Sequence, residues 1–204
     1  MMNKKGRLLI ISGPSGVGKG TVLKELFAKN DDFVLSVSAT TREPREGESD
    51  GINYFFKTKE EFEGMIKNGE LLEYAKYNGN YYGTPKAYVD SKLNEGKNVI
   101  LEIEVQGAML VKKLVPEAVM IFIAPESREI LRARLAGRGT ETKDVIEMRI
   151  AIAEKELRAS LMYDYITVNK DGAVSDCVND IISIVRAEKV KKENMFDTVS
   201  DFIL

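Results

Sequence analysis

The sequence predicts an α/β layered fold, a five-stranded parallel sheet covered by helices on both sides, and three observations carry that expectation. Short apolar runs at residues 7–12, 33–38, 98–104, 118–124 and 165–168 have the length and composition of buried strands. Amphipathic stretches alternate with them. Val22, Leu23, Leu26 and Phe27 make one helical face, and Val174, Cys177, Val178, Ile181, Ile182 and Val185 make a longer one. A glycine-rich turn joins the first run to the first of these helices.

Taken in order, the elements follow a strand-helix rhythm until about residue 40, where it breaks. The stretch from there to residue 97 holds the apolar run 52–56 and a helix over Lys59–Lys67 that opens with a Thr58/Glu61 capping box. A hairpin follows, with strands Leu71–Tyr77 and Tyr81-Tyr82 around Asn78-Gly79, the strongest short-range turn signal in the chain. Pro85 suits the first turn of a helix that Gly96 ends. This block reads as an insertion between two strands of the parallel core. A second excursion, about residues 130–161, sets two arginine-bearing helices on either side of Gly137-Arg138-Gly139, a spacing suited to a mobile segment that carries charge to a ligand.

Composition removes whole mechanisms. The chain has 204 residues, 44% hydrophobic and 30% charged, which fits one globular domain with an inserted subdomain. Histidine is absent, so no imidazole base, histidine-assisted nucleophile or histidine-ligated metal is available. Cys177 is the one cysteine and rules out an internal disulfide; it reads as a core residue of its helix. A net charge of −2 lacks the basic footprint of a duplex DNA binder, so an anionic ligand must meet a local cluster of Lys and Arg. The apolar run after Lys4, Lys5 and Arg7 stops at Ser12-Gly13, too short for a signal peptide, and nothing approaches the length of a membrane span. The expected compartment is the cytoplasm.

The turn after the first strand reads Gly13-Pro14-Ser15-Gly16-Val17-Gly18-Lys19-Gly20-Thr21. Its glycines let backbone N–H groups converge on phosphate oxygens, the helix N-terminus adds partial positive charge, and Lys19 adds a full one. The spacing alone is a weak signal; its place between a buried strand and an amphipathic helix is the confirming context. Gly20 occupies the usual Ser/Thr position of the pattern, so the hydroxyl that would bind Mg²⁺ directly is missing there. Thr21, or water and the nucleotide phosphates, takes over that role.

Four motifs then stand in the order found in guanylate kinases: the Gly13 to Thr21 loop, Ser36-Val37-Ser38-Ala39-Thr40-Thr41-Arg42-Glu43-Pro44-Arg45-Glu46-Gly47-Glu48, Gly79-Asn80-Tyr81-Tyr82-Gly83-Thr84, and Gly137-Arg138-Gly139-Thr140-Glu141. The chain resembles that family from about Arg7 to Arg186. The resemblance implies a P-loop nucleoside monophosphate kinase fold. Its core would be residues 1–38, 98–130 and 162–204, with a mixed α+β GMP-binding insertion at 39–97 and a helical lid, with the helix that follows it, at 131–161. It implies transfer of the γ-phosphoryl group of ATP to GMP, and to dGMP, with Mg²⁺. ATP and GMP are the expected partners of a monomer or homodimer, with no nucleic acid and no membrane. The same core carries two alternatives: a ribose bisphosphate phosphokinase-like enzyme, or a binding module without catalysis.

For the acceptor, Arg42 and Arg45 lie three apart around Pro44, a fork suited to a phosphate monoester, with Tyr54 and Tyr82 as hydroxyl donors. Taken alone, such a pair reads as a solvated surface; the resemblance makes it the clamp on the GMP phosphate, with Glu48 in the same motif. Tyr81, on the opposite strand face from Tyr82, belongs to hairpin packing. Guanine offers N1–H and an exocyclic amine side by side, and the resemblance gives Glu73 the task of accepting both, with Ser38 and Thr84 on other edge atoms. Glu102 and Glu104, at i and i+2 near a strand end, face one side of the sheet edge where α/β folds bind ligands. Glu102 is assigned to the guanine and Glu104 to Mg²⁺ through water.

Phosphoryl transfer is the reaction class that tolerates the lack of histidine, because its barrier falls through positioning and charge stabilisation. Lys19, Arg42, Arg138 and Arg149 are the expected catalytic charges. Arg134 and Asn169 join residues 13–21 in binding ATP, with Asn169 placed near the adenine by the resemblance. Met195, Phe196, Val199, Phe202 and Ile203 form an apolar stripe in the tail 187–204, expected to dock on the chain's own core or to mediate self-association.

Overall fold

The computed structural model describes residues 5–137 and 142–191. Arg138 and the apolar stripe of the tail therefore lie outside the described residues. Those described divide into two compact units: residues 5–12 with 30–120, and residues 13–29 with 121–137 and 142–191.

In the first unit, β1 (Leu8–Ser12) is buried at every position, as its unbroken apolar run requires for a strand covered on both faces. After β2 (Phe33–Leu35), the chain enters the insertion: β3 (Ala39–Thr40), β4 (Phe55–Phe56), α2 (Lys59–Lys67), β5 (Leu71–Tyr77), β6 (Asn80–Pro85) and α3 (Lys86–Asn94). It returns through β7 (Asn98–Glu102) and α4 (Val105–Leu114). β7 pairs in parallel with both β1 and β2, with Leu8 opposite Val99 and Phe33 opposite Asn98. The expected strand 33–38 stops at Leu35. Beyond it the Ser36 N–H still bonds the Ile100 carbonyl, but the backbone has begun to turn toward the insertion.

The insertion builds its own four-stranded sheet in the order β4–β3–β6–β5. The capping box is present as expected: the Glu61 N–H donates to the Thr58 hydroxyl, and the Glu61 carboxylate accepts from the Thr58 N–H. At the hairpin tip Asn78 (φ 46°) and Gly79 (φ 83°) are both left-handed, which Asn-Gly supplies at least cost. Phe62, fully buried, fixes α2 on this sheet by stacking on Tyr81 at 5.2 Å and packing on Ala39 and Leu71. Tyr81 thus does the packing work read for it. Pro85 falls one residue earlier than expected, ending β6 and capping α3 rather than sitting inside its first turn.

The second unit begins with the glycine-rich turn and α1 (Lys19–Lys29), then continues from β8 (Val119–Pro125) through α5 (Arg128–Ala136), α6 (Lys143–Ala159), β9 (Tyr165–Asn169) and α7 (Val174–Lys189). β8 and β9 pair in parallel, Ile121 opposite Tyr165. Leu131 and Leu135 of α5 pack with Ile146, Ile150 and Ala153 of α6, so these two helices share a core of their own. Cys177 is fully buried on α7. Within the first unit the parallel strands run β2–β7–β1, and within the second β8 lies beside β9.

Candidate active site

The glycine-rich turn ends a buried strand and starts α1 at Lys19, so its free N–H groups coincide with a helix N-terminus. The Gly18 carbonyl accepts from the N–H groups of Thr21 and Val22, which locks the first helical turn. Gly18 itself has φ +94°, and a Cβ there would sit 2.6 Å from Asn169 Nδ2; only glycine satisfies both constraints. The Lys19 ammonium curls over the turn, donating to the Gly13 carbonyl at 2.6 Å. Two arginines, one on α5 and one on α6, reach the same turn. Arg149 Nη1 donates to the Ser15 hydroxyl at 3.0 Å, and Arg134 Nη1 donates to the Val17 carbonyl at 2.9 Å. Asn169, 2% exposed at the end of β9, donates Nδ2 to that same carbonyl at 2.7 Å. Lys19, Arg134 and Asn169, expected to bind ATP, and Arg149, expected as a catalytic charge, are thus gathered on one glycine-rich turn.

A second site lies wholly within the first unit. A cavity of about 410 Å³ is lined by Ser38, Tyr54, Glu73, Tyr82, Glu102 and Glu104 among others. Those six were singled out from sequence, and the fold places them on six different elements or loops. A neighbouring depression adds Thr84 beside Ser38, Tyr54 and Glu102. Thr84 is buried, and its hydroxyl donates to Glu73 Oε1 at 2.6 Å. Burial pushes the Glu73 carboxyl above its ordinary range, and the Thr84 hydroxyl offsets part of that rise. Such a carboxylate is short of donors, so a ligand that brings two N–H groups to it relieves an existing cost.

The arginine loop is arranged around Glu48. Arg42 Nη2 lies 2.9 Å from both Glu48 oxygens, and Arg42 Nη1 donates to the Glu43 carbonyl. The Arg45 N–H also donates to Glu48, at 2.8 Å. That backbone contact, ahead of the Arg42 pairing, holds the Glu48 carboxyl below its ordinary range. The Arg42 guanidinium rests 5.4 Å above the Tyr54 ring and 5.9 Å above Phe56, and Tyr54 meets Tyr82 edge-on. Glu48 therefore orients the cation that would meet a phosphate, a role its sequence position did not disclose.

Glu102 and Glu104 both line the cavity but not as two residues of one strand. β7 ends at Glu102, and Glu104 is the N-cap of α4. That helix was not foreseen from the sequence, and with it Gln106 and Gly107 were missed as cavity residues. The signal was present in Ala108 and Val111, both fully buried at helical spacing, but is short and follows a strand directly. Among the described residues no group of three or more Cys, Asp or Glu side chains gathers as a metal cage. The oxygen donors on offer, the Thr21 hydroxyl and single carboxylates such as Glu104, fit Mg²⁺ bound chiefly through nucleotide phosphates and water.

The guanylate kinase family model matches residues 5–188. The chain belongs to the guanylate kinase family. Guanylate kinases of Shouchella clausii and Bacillus cereus are 51% and 54% identical to it, covering 100% and 96% of this chain and 98% and 95% of their own. The crystal structure of guanylate kinase from Anaplasma phagocytophilum superposes with a TM-score of 0.69 at 34% identity, over 94% of this chain and 90% of that one. The family phosphorylates GMP using ATP, which makes this chain a P-loop kinase of nucleoside monophosphates. The SH3-kinase fragment of tight junction protein 3 shares the fold at 13% identity, with a TM-score of 0.50. No helix among the described residues is long and apolar enough to cross a membrane.

Proposed function

We propose that the chain carries the γ-phosphoryl group of Mg·ATP in line to the phosphate of GMP, giving ADP and GDP. The reading rests above all on Glu73, a half-buried carboxylate whose Oε1 accepts from the Thr84 hydroxyl in a cavity that also holds Ser38, Tyr54, Tyr82 and Glu102. Guanine presents two donors side by side to such an acceptor, whereas adenine presents an acceptor at N1. A site whose buried polar groups are left unpaired by the wrong base discriminates strongly against it.

Arg42 and Arg45, with the Tyr54 and Tyr82 hydroxyls, hold the GMP phosphate, and Glu48 keeps Arg42 in place. Ser38 and Thr84 address other edges of the base, and Glu102 lies on the guanine side. Residues 13–21 bind the ATP phosphates, with Lys19 neutralising charge on the terminal groups. Arg138 and Arg149 close over the transferring group, and closure keeps water from accepting it. The GMP phosphate oxygen is ionised near neutral pH, so the step needs no general base, consistent with a chain that has no histidine. When bound, Mg²⁺ supplies charge neutralisation on the nucleotide phosphates; Thr21 or, through water, Glu104 is the residue that would hold it.

No contact in this reading uses the ribose 2′-hydroxyl, so dGMP serves as acceptor too. The insertion 39–97 is the acceptor-binding part, residues 131–161 the lid and its following helix, and the remainder the phosphate-loop core. The protein works in the cytoplasm as a monomer or homodimer, without nucleic acid or membrane.

The test is ADP production from Mg·ATP against GMP, dGMP, AMP, UMP, CMP and ribose bisphosphate. Turnover confined to GMP and dGMP is expected. Turnover with ribose bisphosphate alone, or silence across the panel with ATP still bound, overturns the reading in favour of a different acceptor or a binding module.

A further inference from the structure

The carbonyl of Val17, in the middle of the phosphate-binding turn, is held from two directions. Asn169 Nδ2 donates to it at 2.7 Å and Arg134 Nη1 at 2.9 Å. Arg134 is itself anchored, because its Nη2 reaches the Asn169 carbonyl at 3.3 Å and Asp171 at 3.4 Å. Asn169 also packs on the next residue of the turn, where a Cβ on Gly18 would collide with its Nδ2. The Asn169 contact is one of donation: its Oδ1 is buried and has no hydrogen-bond partner among the described residues.

A peptide unit is planar and trans, so the Val17 carbonyl and the Gly18 N–H point in opposite directions. Fixing the carbonyl toward Asn169 and Arg134 fixes the Gly18 N–H away from them. We propose that Asn169 and Arg134 are positioning residues of the phosphate site: they clamp the peptide between Val17 and Gly18 so that the Gly18 N–H is presented to the ATP phosphates. Asn169 then acts on ATP through the loop, as a donor to the protein. The inference rests on residues 13–21 being the ATP phosphate site.

Donor and acceptor roles separate cleanly in Asn169→Asp, which keeps the side-chain shape but replaces the donated N–H with a carboxylate oxygen. An adenine amino group would still find an acceptor there, whereas the Val17 carbonyl would lose its donor. The experiment measures affinity of the full chain for Mg·ATP and for inorganic tripolyphosphate, which has no base. It compares the wild type, Asn169→Asp, Arg134→Ala and Lys19→Met, with GMP affinity as the check on folding. Loss of a charge-proximal hydrogen bond predicts that Asn169→Asp weakens ATP and tripolyphosphate by the same factor, about tenfold, while GMP binding holds. The KM for ATP rises accordingly and the KM for GMP does not.

Unchanged tripolyphosphate affinity in Asn169→Asp overturns the clamp, whether or not ATP is weakened. If Asn169→Asp also loses GMP binding, its fold is at fault, and Arg134→Ala decides by the same comparison of ATP with tripolyphosphate. If Lys19→Met binds tripolyphosphate as the wild type does, the loop is not the phosphate site and the underlying reading falls with the clamp. A weak Lys19→Met beside a normal Asn169→Asp removes the clamp alone.

Discussion

In the proposed reading, the glycine loop and the acceptor cavity hold anionic nucleotides by opposite means. The loop uses backbone: a strand end, a glycine turn and the first N–H groups of α1, with side chains such as Arg134 and Asn169 bonded to its carbonyls. The acceptor region uses side chains: Arg42, held by Glu48, rests over Tyr54 at the cavity wall, and Glu73 inside the cavity is held by Thr84. A backbone site is tolerant of what surrounds it, because the same N–H groups are present whatever the neighbouring residues are. A side-chain site is selective but depends on each partner that keeps a long side chain in one geometry. The consequence is a division of labour: charge neutralisation on one side, and choice of base on the other.

That contrast is broken or sharpened by substitutions in each site. The largest effect is expected from Lys19→Ala, which removes the full charge of the loop. Turnover should fall by about 10³-fold, with GMP affinity retained, as a steady-state assay paired with GMP titration would reveal. Near-normal turnover would place the chemistry elsewhere.

Glu73→Gln comes next. It replaces an acceptor for two donors with a group that accepts only one, and the preference for GMP over AMP should drop by about 10²-fold or more. The ratio of kcat/KM for the two acceptors measures this, and an unchanged ratio would reject Glu73 as the base reader. Arg42→Ala should raise the KM for GMP by roughly 10- to 100-fold, the range for a hydrogen bond to a charged group, while leaving ATP affinity intact. Glu48→Gln should produce a milder version of the same defect, because it loosens Arg42 without removing it. Equal defects in ATP and GMP binding would end the separation of the two sites.

The Glu73 carboxyl also links stability to pH. Burial raises its folded pKa above the ordinary 4.5, so folding favours the protonated form. Its stabilising contribution is complete below pH 4.5 and is lost as pH rises through the folded value. Relative to Glu73→Gln, the ligand-free wild type should therefore melt progressively lower from pH 4 toward pH 7. GMP affinity should move the other way, rising with pH as the ionised acceptor forms. A melting difference that does not change with pH would mean that Glu73 is not desolvated in the free protein. The smallest effect is Gly79→Ala at the hairpin tip, where φ is +83° and no atom lies within 4 Å of the added methyl. Backbone strain alone should cost about 1 kcal/mol, visible in chemical denaturation, with the ratio of GMP to AMP use unchanged.

The sequence by itself determined what depends on neighbours along the chain. The Thr58/Glu61 capping box, the Asn78-Gly79 turn and the glycine loop ending in Lys19 are each complete within a few residues, and the structure has all three. The apolar run Leu8–Ile11 reads as a buried strand, and β1 is buried at every position. Tertiary structure decided what depends on distant partners. β2 ends at Leu35 because the chain must leave the main sheet for the insertion, and α4 forms directly after β7 once Ala108 and Val111 have a core to enter. The role of Glu48 appears only when Arg42 and the Arg45 N–H converge on its carboxylate. Asn169 and Arg134 meet the Val17 carbonyl across 152 and 117 residues of chain. Local pattern carries turns and caps because their hydrogen bonds close over a few residues, whereas no local pattern encodes which distant donor will find a given carbonyl.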